Sequence, residues 1–537
     1  MNPDTYDFIV IGGGSAGCVV ASRLSEQAEH RVLLIEAGRP DDSVFIRMPA
    51  GFSRVFGTDR MWKYFSEPQA GLNGRKIHVP QGRTLGGSGS MNGMIYIRGG
   101  WQDYDGWKAQ GCNGWGYDDV LPWFRRTEGN ARLSDPYHGA EGPLKVMDTP
   151  YRHPLNAAFV RAAQEIGAPF NHDFNGPTQL GVGFYQITAS EGERGSTARF
   201  FLRPAQARGN IEVRTGLMVS RILFENRRAV GVECVPSKGG APLTFRIRRE
   251  VILCAGGLGS PKVLLQSGIG DGGQLSALGI QPVHALPGVG QNYQDHLEVG
   301  VYGRTREPIS LFQQDKNLSA LRHGAQWMLF RSGLMTSNVV ESGGFFDLDA
   351  DGRPEIQFHV LPVLVGDEDR PPLHFHGVTL NPCLLAPKSR GRVRLHSPNP
   401  LDLPELDAGA LAHPHDVSVL CDGVRLARRI LGAPSLQALV SEEVEPDGSP
   451  VDDSDAGIEA KVRRYAKTVY HPGGTCRMGT DPLSVVDTEL RVHGIDGVRV
   501  ADVSIMPTIP RGNTNAGTIM IAERAADFIK RGTSNRL

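Results

Sequence analysis

The sequence predicts an α/β fold in which a doubly wound, largely parallel sheet is interrupted by an α+β unit built on a largely antiparallel sheet. Three observations predict it. The first forty residues join two continuous apolar runs through a glycine turn and a helical stretch. The middle of the chain changes to short strand-like runs separated by Pro- and Gly-containing turns, and the last residues return to the opening idiom.

Each element follows from its residues. YDFIVI, from Tyr6 to Ile11, is apolar without alternation, as in a strand covered on both faces. GGGSAG follows at once, CVVASRLSE has helical spacing, and RVLLIEAG is a second apolar run, so the unit reads strand, turn, helix, strand. Further βαβ-like pieces are expected at NIEVRTGLMVSRILFE and at REVILCAGGLGSPKVLLQSGIG. From residue 301 to 459, PEIQFHVLPVLV, GVTLNPCLLAP and GRVRLHS are strand-like, and HDVSVLCDGVRLARRILG places Val417, Leu420, Cys421, Val424, Ala427 and Leu431 on one helical face. GVRVADVSIMP is again a buried-strand pattern, and TIMIAERAADFI closes the chain as a helix. Residues 1–300 with 460–537 therefore form the first unit and 301–459 the second. DEDRPP, Asp367 to Pro372, is expected as an exposed loop, either a lid or a connector.

Composition excludes several classes. The 537 residues carry a net charge of -1, with 21% charged side chains of both signs, so the basic footprint of a nucleic-acid partner is absent. No run approaches the roughly 18 apolar residues of a transmembrane segment. The opening MNPDTYDFIV has acidic residues where a secretory signal has basic ones, so the expected location is the cytoplasm, with peripheral contact at a membrane as the other option. Seven cysteines without CxxC pairs suit reduced, buried thiols, and no metal site is expected. The 67 glycines exceed the usual share of about 7% and ask for a reason.

Part of the reason is Gly12, Gly14 and Gly17, a GxGxxG directly after a strand, with Ser15 and Ala16 opening the helix. Glycine lets the backbone approach a pyrophosphate, and the free N–H groups of the helix start supply donors. Glu36 ends the second strand about 20 residues on, where a carboxylate accepts hydrogen bonds from an adenosine ribose. FAD and NAD both present ADP to such a motif.

The segment YHPGGTCRMG, Tyr470 to Gly479, sets His471 on irregular backbone near Cys476. Its local readings are a metal ligand, a partner of a cysteine nucleophile, a structural histidine and a general base. A metal needs several converging ligands and a nucleophilic cysteine needs a partner pattern; neither is visible, and the pair His374 and His376 is isolated.

Four segments carry a resemblance: GRTLGGSGSMNGMIYIRG (Gly82 to Gly99), GGLGSPKVLLQSGIG (Gly256 to Gly270), PGVGQNYQDH (Pro287 to His296) and YHPGGTCRMG. In this order they resemble the glucose-methanol-choline (GMC) oxidoreductases, FAD-dependent alcohol oxidisers, and among them the bacterial choline, L-sorbose and polyethylene-glycol dehydrogenases. The resemblance implies that the doubly wound unit binds FAD, with Arg83, Gly87, Ser88, Asn92, Gly93 and Met94 alongside it. It sets Val219 at the adenine, Ala255 and Gly256 at the cofactor, Asp502 by the ribityl and phosphate region, and Asn513 and Asn515 at the start of the closing helix. Met91 stands where some members carry the histidine that bonds FAD, so the flavin is expected to be noncovalent. The resemblance also implies that His471 is the base and Asn513 its companion in taking a primary alcohol (a sugar, polyol, glycol or other small alcohol) to the aldehyde by hydride transfer to flavin N5. Electrons then pass to a quinone or similar acceptor, or to O2 in the oxidase branch. Glu341, Val469 and Tyr470 are the expected substrate-pocket residues. The rival classes are a hydroxynitrile lyase on the same fold and a non-catalytic flavin protein.

Overall fold

The computed structural model describes residues 4–365 and 373–534. The DEDRPP segment lies outside the described residues. The first sheet is seven-stranded. Ile211–Thr215, Val32–Glu36, Thr5–Ile11 and Leu243–Leu253 run parallel in that order, and Val498–Val500 pairs in parallel with the end of Leu243–Leu253. The other half of Leu243–Leu253 pairs with an antiparallel meander, Arg228–Pro236 and Leu217–Glu225. Phe8, Ile9, Val10 and Val32 to Leu34 are fully buried, which explains the unalternated apolar runs. The helices Ser15–Leu24 and Asn515–Ser534 pack together, and Arg23 holds Glu523 through a forked ion pair at 2.7–3.0 Å.

One expected unit differs. NIEVRTGLMVSRILFE contains two strands, Ile211–Thr215 and Leu217–Glu225, with Gly216 at φ 70° between them and no helix. Ile211 and Val213 alternate as in a strand, and the left-handed glycine turns the chain at once into the meander, leaving no residues for a helix.

The second sheet is antiparallel at every pairing, in the order Val440–Val444, Val301–Thr305, Gly377–Leu384, Ile356–Leu361, Ser342–Phe346, Gly181–Phe184. Leu297–Glu298 and Lys467–Thr468 join it at one side. The GRVRLHS run contributes only Arg392–Arg394, paired apart from this sheet with Glu405–Asp407. The helix Pro414–Leu431, started by His413 accepting a hydrogen bond from His415 N–H and by Pro414 in its first turn, buries all six residues of the predicted face. These pack with Phe358, Val360 and Leu380 in one core. The strand period of two then turns His359, Leu361 and Asn381 to the opposite face, toward a cavity between the two sheets.

Candidate active site

That cavity measures about 990 Å³, at the upper end of the ~300–1,000 Å³ of small-molecule sites. It opens at the carboxyl ends of the parallel strands. The chain leaves Thr5–Ile11 for a neighbour on either side there, and this topological switch point is where open α/β sheets form their crevice. Gly12, Gly14, Ser15, Ala16, Glu36, Ala255 and Gly256 line it. Gly12 has φ 98°, and a Cβ there would fall 2.5 Å from the Cys254 carbonyl oxygen. Gly17 is not on the wall; a Cβ on it would meet the Gly12 oxygen at 1.8 Å, so this glycine lets the helix lie against the strand.

Three helices start at this cavity, at Ser15, Gly256 and Asn515. The first two have no side-chain cap from their own N-cap residue; the Ser15 helix leaves its positive end to a ligand anion, whereas Gly256 N–H at the second is taken by Asp502. Glu36 accepts from Gly13 N–H at 2.8 Å and Gly38 N–H at 2.7 Å, while burial pushes its carboxyl up to about 7. Asp502 is buried and saturated: Ser504 donates to one oxygen through N–H and O–H, and Gly256 N–H and Ser260 O–H donate to the other.

The second glycine segment crosses the same wall. Gly87, Ser88, Met91, Asn92, Gly93 and Met94 line it, and Val219 closes it on the meander side. Asn92 Oδ1 accepts from Met94 N–H at 3.0 Å and from the Arg194 guanidinium at 2.9 Å. Arg194 is buried and otherwise donates to the carbonyls of Ile46 and Asn92, so burial pulls it down to about 9 and leaves a field that favours an anion nearby. Arg83 is a correction: it does not line the cavity but lies over the Trp62 ring at 4.5 Å, behind that cavity residue. Its main chain is clamped against Gly38, where even a Cβ would fall 2.0 Å from the Arg83 oxygen.

His471 and Asn513 come together at the far end, between the two sheets. Asp295 holds the His471 main chain, accepting its N–H at 2.9 Å and the hydroxyls of Thr468 and Tyr293. Tyr470, at φ 70°, makes the turn that presents the ring. The ring's proton follows from its neighbours. His296 Nε2 lies 3.0 Å from the Leu385 carbonyl, which only accepts, so this nitrogen carries a proton. Burial holds the His296 imidazole down at about 3, hence neutral, and its Nδ1 is a bare acceptor. His471 Nδ1, 2.9 Å away, must then donate, which leaves His471 Nε2 with a lone pair. Asn513 Nδ2 approaches that nitrogen at 3.5 Å, while Asn513 Oδ1 accepts from Gln357 at 3.1 Å and fixes the amide. Burial, then His296 and His359, keep the His471 imidazolium well below its usual 6.5. The geometry is a neutral imidazole with an open nitrogen and an amide donor beside it.

Val469 and Tyr470 line the cavity; Glu341 does not. Its carboxylate is fully buried and taken by Ser337 O–H at 2.5 Å, His153 N–H and Asn156 Nδ2 at 3.1 Å, so it braces the strand Ser342–Phe346 from behind. Cys476 is also withdrawn from chemistry, since burial raises its thiol well above 9. The residues missed in the sequence are His296, Gln357, Arg194, and a polar wall of Glu298, His359, Asn381 and Lys467. His359 Nδ1 donates to Glu298 Oε2 at 3.1 Å, and Lys467 Nζ lies 3.8 Å from Oε1. Their only signal was the end of the PGVGQNYQDH segment, which closes on His296 two residues before Glu298.

The glycine walls and the uncapped helix start at Ser15 fit a dinucleotide with its diphosphate. The comparisons agree. The family profile of GMC oxidoreductase matches residues 6–298 and, for its C-terminal part, 387–522. The chain is 42% identical to an alcohol dehydrogenase [acceptor] of Pseudomonas putida, covering 98% of this chain and 96% of that protein. It is also 42% identical to an oxygen-dependent choline dehydrogenase of Vibrio vulnificus, covering 98% and 94%. The solved structure of an FAD-dependent oxidoreductase from Chaetomium thermophilum superposes with a TM-score of 0.90 at 28% identity, covering 98% and 100%.

Proposed function

The chain belongs to the GMC oxidoreductase family, and from that premise we propose that it oxidises a primary alcohol to the aldehyde, with His471 as the base and Asn513 as the alkoxide donor. The enzyme is an FAD-dependent oxidoreductase, and FAD when bound supplies the hydride acceptor. The observation that carries the reading is the bare His471 Nε2 beside the Asn513 amide in a cavity shared with the nucleotide cradle. The alcohol hydroxyl gives its proton to Nε2, and the Asn513 Nδ2–H donates to the oxygen as it becomes negative, which would ready the carbon to release its hydride. His296 takes the resulting partial charge through the Nδ1 hydrogen bond and holds the tautomer.

Noncovalent FAD is supported by Met91, whose thioether on the cavity wall has no nucleophilic nitrogen to bond the ring. The polar wall supports a substrate with further hydroxyl or ether oxygens, such as a sugar, polyol or glycol. A quaternary ammonium is less well served, because Glu298 already shares its carboxylate with His359 and Lys467. We take residues 1–300 with 460–537 as the cofactor unit and 301–459 as the substrate unit, whose sheet is completed by three strands from outside that range. We propose a quinone or similar carrier as the acceptor; the name of the Pseudomonas putida relative specifies only an acceptor, and that of the Vibrio vulnificus relative specifies oxygen, the alternative. Seven unpaired, buried cysteines support a cytoplasmic location.

Anaerobic mixing with a panel of polyols, sugars, glycol ethers, aryl alcohols and choline tests the reading: the bound flavin bleaches with one of them. The active form of His471 is neutral, and its lowered pKa means that protonation comes only in acid. The bleaching rate is therefore expected to stay flat down through pH 6.5 and to fall only well below it. No bleaching by any alcohol would favour a lyase or a non-catalytic flavin protein.

A further inference from the structure

The helix Asn317–Phe330 turns its apolar side outward. Leu318, Leu321, Met328, Leu329 and Phe330 are 67–81% exposed, and of the helix only Trp327 is buried, its indole N–H bonded to the Gly192 carbonyl at 2.7 Å. Positions 318, 321, 325, 328 and 329 share one helical face, the stripe that in a globular protein ordinarily meets a core. Exposed Lys316 and Arg322 border it, while Arg331 at its end is paired with Glu193 at 3.4 Å. The single acid of this stretch, Asp315, is taken by Arg54, which also donates to the Asp315 carbonyl at 2.9 Å. Arg54 ends the turn Pro49–Arg54, whose Phe52, with Phe56 after it, lines the catalytic cavity. The ridge thus stands next to one wall of the cavity.

We propose that this helix is an interfacial anchor that beds into the headgroup region of an anionic phospholipid bilayer, bringing the Phe52 and Phe56 wall of the cavity to the lipid surface. An outward apolar stripe with basic borders is the signature of a helix lying in a membrane interface. Its cations complement anionic lipid, each worth about 1 kcal/mol near the surface. A single convex ridge is too narrow for the ~800 Å² per partner of a stable protein interface. No described helix is long and apolar enough to cross a membrane, so the contact is peripheral. The inference stands independently of the alcohol reading.

The test is sedimentation of the FAD-loaded enzyme with vesicles of phosphatidylcholine alone and of phosphatidylcholine with about one third phosphatidylglycerol. The wild type is expected to pellet with the anionic vesicles, less so as salt rises, and poorly with the neutral ones. The double variant Leu321→Ser, Leu329→Ser, altered only at exposed sites, is expected to bind at least about tenfold more weakly while its flavin content and alcohol reduction rate match the wild type. Failure of the wild type to pellet, or equal binding by the variant, would overturn the proposal. So would sedimentation velocity showing a wild-type dimer that the double substitution dissociates, because a second copy of the chain would then cover the ridge.

Discussion

Replacing His471 with alanine is expected to slow anaerobic reduction of the bound flavin by substrate at least ~100-fold, the usual loss when a general base is removed. The protein should remain folded and yellow. The ring contributes a hydrogen bond to His296 and the 3.5 Å contact with Asn513 Nδ2, and the main-chain bond from His471 N–H to Asp295 is untouched by the substitution. His296 Nδ1 then lacks a donor, but the space left by the imidazole opens on the cavity and admits water. Asn513 and Gln357 keep their places, so the variant retains substrate orientation and part of the stabilisation of the alkoxide. The loss should appear in the first-order reduction rate at saturating alcohol rather than in alcohol affinity. A reduction rate within a few-fold of the wild type would make His471 a structural residue.

A second large effect is expected from Gly17→Ala, which touches no substrate. The added methyl points into the Gly12 carbonyl oxygen, 1.8 Å from its ideal position, with Cys254 Cβ at 3.3 Å behind. The Gly12 carbonyl does not give way, since it is packed backbone and Gly12 N–H is bonded to the Ile35 carbonyl at 2.8 Å. Overpacking of this kind costs about 1–3 kcal/mol and more where backbone must move. Here the movement splays the helix from the strand and spoils the N–H groups that cradle the diphosphate. Purified Gly17→Ala is expected to show a lowered melting temperature and a lowered flavin-to-protein absorbance ratio. Gly106→Ala is the control, because a Cβ there meets nothing within 4 Å. Wild-type flavin content and stability in Gly17→Ala would mean that the close approach at this turn is not required.

The nucleotide half of the site was legible because its chemistry demands residue types at fixed spacing. Only glycine tolerates φ 98° at Gly12 or the approach at Gly17, so the motif is written locally. The antiparallel unit was legible in its alternation and turns, and the helix Pro414–Leu431 in its apolar face. Glu341 was misread because a carboxylate beside two glycines looks the same whether it faces a cavity or a ring of donors. The donors that claim it come from His153, Asn156 and Ser337, two of them far away in the chain. His296 and Gln357 were illegible for the same reason. Each acts through a partner more than a hundred residues distant, and no local spacing records a bond between strands of one unit and a loop of another. Arg83 shows the limit of carrying a position over by motif alone: its neighbours line the cavity, and its own side chain turns aside onto Trp62.

The account rests on which nitrogen of His471 holds the proton, and long-range ¹⁵N–¹H correlation spectroscopy of the FAD-loaded enzyme labelled in histidine reads this directly. The His471 signals are assigned by their absence from the His471→Ala spectrum. At neutral pH they are predicted to show a neutral ring with the proton on Nδ1 and a bare Nε2, with His296 in the opposite tautomer. A His471 ring protonated on Nε2, or charged at neutral pH, would contradict the account, because the nitrogen beside Asn513 would then have no lone pair with which to take the alcohol's proton.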